Sequence, residues 1–141
     1  MGEARDLGTS WFETVKSGDV AAVQSLLAEE VDFQAAGMRL TEPEQIAGFV
    51  GAYTTGFPDM DFTVDVWVEE GDTAVAEGRF TGTHTGPMSS PMGEIPATGR
   101  SIDLPFTTVF QVEGGKLTAH RAYWDNTSMM TQLGLMPDPG A

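Results

Sequence analysis

The apolar period of this chain changes once, near Pro58. Upstream of it, apolar residues recur at intervals of three and four; downstream, they alternate. Leu7, Trp11, Phe12 and Val15 share one face of a helix predicted over 3–17, which Gly18 stops. Asp19 is placed to cap a second helix whose face is Val20, Val23, Leu26 and Leu27. "VDF" (31–33) is short and β-prone. A third helix is expected from Thr41, with Thr41 and Glu44 at capping-box spacing and Pro43 in the first turn. Its buried face is Ile46, Phe49, Val50 and Tyr53. Beyond the turn "GFPDM" (56–60), Phe62, Val64, Val66 and Val68 alternate with Thr63, Asp65 and Trp67. "EEGD" (69–72) is a hairpin turn, and a strand over 73–84 puts Ala74, Ala76, Phe80 and His84 on one face. Strands over 101–112 and 116–125 flank the turn "EGG" (113–115), and a short helix over 128–133 ends at Gly134. The Gly/Pro/Ser/Met segment 85–99 favours neither regular structure, so it is expected to cover something or move. The tail "PDPGA" is expected to fray.

Three helices followed by a run of antiparallel strands define an α+β domain, with helices packed on one face of a strongly curved sheet. Such a sheet, closed by helices, makes a cone with a pocket at its open end. No repeat or linker divides the chain, so residues 1–141 are read as a single domain.

Composition limits the chemistry. Without Cys there is no disulfide, thiolate nucleophile or Cys-ligated metal. The two histidines have neither HxH nor HxxxH spacing, which argues against a metal site. "GTHTG" lacks the lysine and the strand–helix context of a phosphate loop, and no GxSxG is present. A net charge of −14 opposes docking on nucleic acid or on anionic membranes. No segment has the apolar length of a membrane span, and the opening "MGEARDLGTS" has no apolar run for a secretion signal. A soluble cytoplasmic protein with a neutral or cationic substrate is the expectation.

Two titratable residues stand at predicted strand ends. By alternation Leu117, Ala119, Arg121, Tyr123 and Asp125 share a face, so Asp125 is expected to point into the cone. A carboxyl beside Tyr123 and apolar walls would have its pKa raised by desolvation, which suits a general acid or base. The competing reading is that Asp125 caps the last helix, since Ser128 follows closely. His84 ends its strand between Gly82 and Gly86, where a ligand could approach; otherwise it is a structural histidine of the loop. Arg121 could meet a substrate oxygen or pair with one of the many carboxylates. Wall candidates are Trp11, Tyr53, Phe57, Met60, Trp67, Phe80, Phe106, Phe110, Met129 and Met130. Asp59 reads as a turn residue, and Asp103 and His120 as exposed. The outer face of the sheet, with Thr63, Asp65, Trp67, Thr107 and Val109, is mixed enough to pair with a second copy.

The ordered set "GTHTG" (82–86), "IPATGR" (95–100), "GGK" (114–116), "YWD" (123–125) and "QLG" (132–134), with "FPDM" (57–60) before the first long strand, resembles the SnoaL-like polyketide cyclase, or ester cyclase, family over residues 5–137. The resemblance implies the nuclear transport factor 2-like cone. It also implies an intramolecular aldol ring closure of a small apolar substrate without metal or coenzyme, with Asp125 as acid/base, His84 near the pocket, and Tyr123 or Arg121 beside the forming oxyanion. Relatives on the fold include epoxide hydrolases and isomerases, which would need Asp103 or Asp59 turned inward beside Asp125, and proteins without a reaction. One departure is that "PMSSPMGEIPATGR" is longer than the short link of the best-known cyclases. The fold implies a homo-oligomer, dimer or tetramer.

Overall fold

The computed structural model describes residues 2–90 and 93–136; the tail "PDPGA" lies outside them. Among the described residues four helices and eight strands follow in the order α1 (Glu3–Ser17), α2 (Val20–Ser25), β1 (Leu27–Ala35), β2 (Met38–Leu40), α3 (Pro43–Gly56), β3 (Asp61–Glu70), β4 (Thr73–Thr83), β5 (Met88–Ser90), β6 (Gly93–Ile95), β7 (Ser101–Glu113), β8 (Lys116–Tyr123) and α4 (Asn126–Gln132). Six strands form one sheet in the order β2-β1-β8-β7-β4-β3, and β5 pairs with β6 in a separate hairpin. The helices lie on one face of the curled sheet, as the change of period predicts.

The sheet is antiparallel except for β1, which runs parallel to β8. β1 begins at Leu27, so the second helix stops at Ser25 and does not include Leu26 or Leu27. Val31, Phe33 and Ala35 of β1 are buried, which gives this strand the alternation that "VDF" only hinted at. The hairpin β1–β2 turns on Ala36 and Gly37, both with positive φ, the backbone of a tight two-residue turn. Thr41 and Glu44 do not form a capping box: Glu42 is the N-cap of α3 and its side chain caps nothing. Segment 85–99 contains the β5–β6 hairpin, although its composition favours neither regular structure.

Two bulges reset which side chains face the helices. In β3 the register against β4 shifts between Val64 and Val66. Trp67 therefore turns inward against Phe12 and Phe110, while Val66 and Val68 are exposed. The expectation that Val66 and Val68 continue the buried row from Phe62 and Val64 fails here. In β8 the register shifts between Leu117 and Ala119, where one residue of β7 opposes an extra residue of β8. Beyond that point His120, Ala122 and Trp124 face the helices, and Ala119, Arg121 and Tyr123 face the other way, because one extra residue inverts a strand of period two.

The core lies between this concave face and the helices, with Phe33, Phe57, Phe110, Ile46, Leu104 and Leu117 fully buried. α1 crosses the sheet with Trp11, Phe12 and Val15 buried. Its N-terminus is held from a distance, since the Glu69 carboxylate accepts from the Gly2 and Arg5 backbone N–H groups at 2.7 and 3.0 Å. This carboxylate is held below its usual range chiefly by those two bonds.

Gly78 pairs with Val64 beside the β3 bulge, where a Cβ would run into the Thr63 carbonyl. Gly48 lies exposed in α3 with open space around it. We expect Gly78→Ala to cost about 1–3 kcal/mol by overpacking and Gly48→Ala to stabilise by about 0.5–1 kcal/mol by helix propensity. Urea unfolding of both variants checks the pair, and equal effects would contradict the bulge geometry.

Candidate functional site

Between α1, α3 and the concave sheet face lies a cavity of ≈ 90 Å³. α1 supplies Trp11, Phe12 and Val15; α3 supplies Phe49, Val50 and Tyr53; β7 supplies Leu104, Phe106 and Thr108. Met60, Phe62 and Phe80 close one side, and Phe33, Ala35, His120, Ala122 and Trp124 the other. Among the described residues no carboxylate, lysine or arginine lines it. Apolar walls with a few polar groups are the usual lining of a small-molecule site.

His120 and Thr108 are the buried polar residues of this wall, and His120 alone of the two is titratable. Its ring stacks on Phe33 at 4.8 Å, tilts against Trp11 at 4.6 Å and meets Phe110 edgewise at 5.3 Å. Only 5% of the residue is exposed. Burial pushes its pKa down to about 3, against a weak opposing contact with its own backbone, so the imidazole is neutral at physiological pH. Its Nδ1 is buried without a hydrogen-bond partner, as is Trp124 Nε1. The expectation that His120 is exposed is thus overturned, and the bulge in β8 is the reason. Tyr53 stays a phenol, its pKa pushed up to about 12 by burial.

Asp125 stands one residue beyond Trp124, exposed, and does not line the cavity. Its side chain caps α4, accepting from Ser128 N–H at 3.2 Å and from Ser128 Oγ at 2.8 Å. Those bonds hold its pKa below the usual carboxylate range, opposite to the rise expected from alternation. Tyr123 is 51% exposed on the outer face. Arg121, also on that face, pairs with Asp32 at 3.2 Å and reaches Gln111 at 3.4 Å. Neither lines the cavity.

His84 is buried but is not a cavity residue. Its Nδ1 accepts from the Thr98 N–H at 3.2 Å, which leaves the proton on Nε2. With His84 N–H on the Arg100 carbonyl and Gly99 N–H on the His84 carbonyl, both at 2.8 Å, it fastens the 84–100 segment. The Thr85 and Gly86 N–H groups reach the Gly56 carbonyl, tying the segment to the end of α3. Desolvation lowers the pKa of the ring.

Of the wall candidates, Trp11, Tyr53, Met60, Phe80 and Phe106 line the cavity. Phe57, Phe110 and Met129 are buried in the core beside it, Trp67 packs on Phe12 and Phe110, and Met130 is half-buried. Asp59 accepts from Thr83 N–H and Oγ1, and Asp103 pairs with Arg79 at 2.6 Å. Both are exposed, so no second carboxylate turns inward beside Asp125. Among the described residues no group of three or more His, Asp or Glu is placed to hold a metal ion, and no helix is long and apolar enough to cross a membrane.

A curled sheet closed by helices over an apolar cavity defines a cone of the nuclear transport factor 2-like, ketosteroid isomerase-like class. The SnoaL-like polyketide cyclase profile matches residues 6–133, and the chain belongs to that family. A candidate SnoaL-like polyketide cyclase from Jannaschia sp. CCS1 superposes with a TM-score of 0.81 at 22% identity, covering 96% of this chain and 94% of that one. IdmH, a candidate polyketide cyclase from Streptomyces antibioticus, gives 0.74 at 26% identity over 94% and 99%. A protein of ketosteroid isomerase-like fold from Catenulispora acidiphila DSM 44928, in complex with trimethylamine, gives 0.76 at 21% identity over 92% and 93%. None of the curated proteins matches the chain in sequence.

The depressed histidines set a pH dependence. His120 binds a proton near pH 6.5 when unfolded and near pH 3 when folded. Its contribution is complete above about pH 6.5 and is lost as pH falls towards 3, at up to about 1.4 kcal/mol per pH unit. The lowered carboxylates, Asp59, Asp61, Glu69 and Asp125, lose theirs only below their ordinary values of 3.8 to 4.5. Between pH 6.5 and 4.5 the slope therefore belongs chiefly to His120 and His84. We expect denaturant titrations in this window to show a shallower slope for His120→Phe than for the parent; equal slopes would refute the buried neutral imidazole.

Proposed function

We propose that this protein is a cyclase-like enzyme that needs no cofactor and acts on an apolar, carbonyl-bearing molecule held in the cone. The observation that carries the proposal is the cavity: uncharged, lined by aromatic rings, and with neutral hydrogen-bonding groups at a few points. In an aldol-type closure a base removes the proton α to a carbonyl, and neutral donors meet the oxygen on which charge develops. Asp125 is the proposed base. It is ionised, stands next to Trp124 of the cavity wall, and becomes free to accept a proton when its bonds to Ser128 open. His84 acts by holding the 84–100 segment, not by touching substrate.

A second reading, a binding module without catalysis, is favoured by the exposure of Asp125 and its engagement as a cap. One variant separates the two. Asn caps helices as well as Asp does but cannot accept the proton. We expect Asp125→Asn to slow deuterium exchange at the methyl group of acetophenone in D₂O by about 10²–10⁴ with an unchanged melting temperature. Exchange at the parent rate, or none above buffer in the parent, leaves the binding module.

The outer face of the sheet is proposed to pair with a second copy. Trp67 is not part of it; Val66, Val68 and Tyr123 are, at 45%, 59% and 51% exposure. Val68, Val75 and Val109 are neighbours across three strands, an apolar row with Arg121 at its end. Light scattering at micromolar concentration is expected to give a dimer mass, and Val68→Lys a monomer.

A further inference from the structure

Five buried side-chain polar atoms lack hydrogen-bond partners among the described residues: Asp32 Oδ1, His84 Nε2, His120 Nδ1, Trp124 Nε1 and Thr131 Oγ1. Asp32 Oδ1 lies 3.1 Å from an Arg39 nitrogen, so its charge is met. Neither His84 nor Thr131 lines the cavity. Only His120 and Trp124 combine an orphaned polar atom with a place in the cavity wall. Buried polar groups are as a rule hydrogen-bonded, and an orphan facing a cavity calls for a partner inside it.

We infer that His120 and Trp124 are the two recognition points of the cavity, each meeting a separate oxygen of an elongated, flat, uncharged ligand. His120 lies on β8 and Trp124 one residue beyond its end, about 13 Å apart along an extended backbone, so each is placed to meet a different ligand atom. Ala122 lies between them and Thr108 opposite it, both small, so neither side chain blocks the row between the two points. His120 sits at the inner end, between Trp11, Phe33 and Phe110. Neutral imidazole keeps one N–H and one bare nitrogen, and so serves a carbonyl or a hydroxyl alike. Trp124 can only donate, so the atom it meets is an acceptor: a carbonyl, ether or ester oxygen. Its ring packs edgewise on Tyr53 at 6.1 Å. The uncharged wall disfavours a carboxylate or an ammonium group on either end.

This specificity rests on the cavity being the substrate site, and the test separates the two ideas. The probes are acetophenone and α-methylstyrene, which differ by C=O against C=CH₂, and 4-methoxyacetophenone and 4-ethylacetophenone, which differ by an ether oxygen against CH₂. Affinities are measured by ligand-observed NMR for the parent, His120→Phe and Trp124→Phe. We expect the acetophenone/α-methylstyrene affinity ratio to fall about tenfold in His120→Phe, with α-methylstyrene still binding. The methoxy/ethyl ratio is expected to fall in Trp124→Phe. In the parent, acetophenone should shift a ring nitrogen of His120 in ¹H–¹⁵N spectra and α-methylstyrene should not. Ratios unchanged in both variants, or equal nitrogen shifts with both probes, overturn the assignment while leaving the cavity as a site. Failure of every probe to bind the folded parent overturns the cavity reading and this inference together. Should His120→Phe not fold, the parent's nitrogen shifts and Trp124→Phe still decide.

Discussion

A single inserted residue in β8 governs what this fold can do. Leu117 faces the core and pairs with Val112, but two residues later Ala119 pairs with Gln111 on the opposite face. Because strand side chains alternate strictly, the bulge exchanges the two faces for everything that follows. It brings His120, Ala122 and Trp124 to the concave side and sends Arg121 and Tyr123 to the convex side. The parallel neighbour β1 follows the same interruption, its register against β8 shifting between Leu27 and Asp32. Bulges also increase local twist and bend a strand, so the device that selects the cavity residues helps curve the sheet that encloses them.

The electrostatics of the molecule are divided between surface and interior. The chain carries −14, yet among the described residues no formal charge lines the cavity. Aspartates that looked available for chemistry are occupied at the surface: Asp125 and Asp59 by serine and threonine donors, Asp103 by Arg79. Inside, burial keeps His120 and Tyr53 neutral from opposite directions, one pKa pushed down and the other up. Hydrogen bonds from such groups gain strength from the low dielectric around them without the cost of burying an ion.

The helical half and the strand-rich half were legible because each follows one period over many residues. Ala74, Ala76, Phe80 and His84 do share a face, since β4 is uninterrupted against β7. The site was not legible for the complementary reason. Nothing in "KLTAHRAYWD" marks the extra residue at Thr118, so a strict alternation carried Asp125 inward and left His120 outside. "DVWVE" conceals the equivalent shift that turns Trp67 inward. β2 escaped because its turn is Ala-Gly, without the Asn or Asp that usually announces positive φ. Trp11, Tyr53, Met60, Phe80 and Phe106 are expected walls that line the cavity; Phe57, Phe110 and Met129 are core beside it, and Phe33 and Phe49, which were not expected, reach it through the tertiary placement of β1 and α3.

The anchoring of α1 is long-range in sequence. Its first turn is bound by Glu69, 67 and 64 residues from Gly2 and Arg5 in the chain, and Glu3 accepts from Gly115 N–H across 112 residues. Contacts of such separation form only after the long loops between them have closed. The helix that supplies Trp11, Phe12 and Val15 to the cavity is thus held by the strand half of the chain, and the cavity has its roof only where that half is in place.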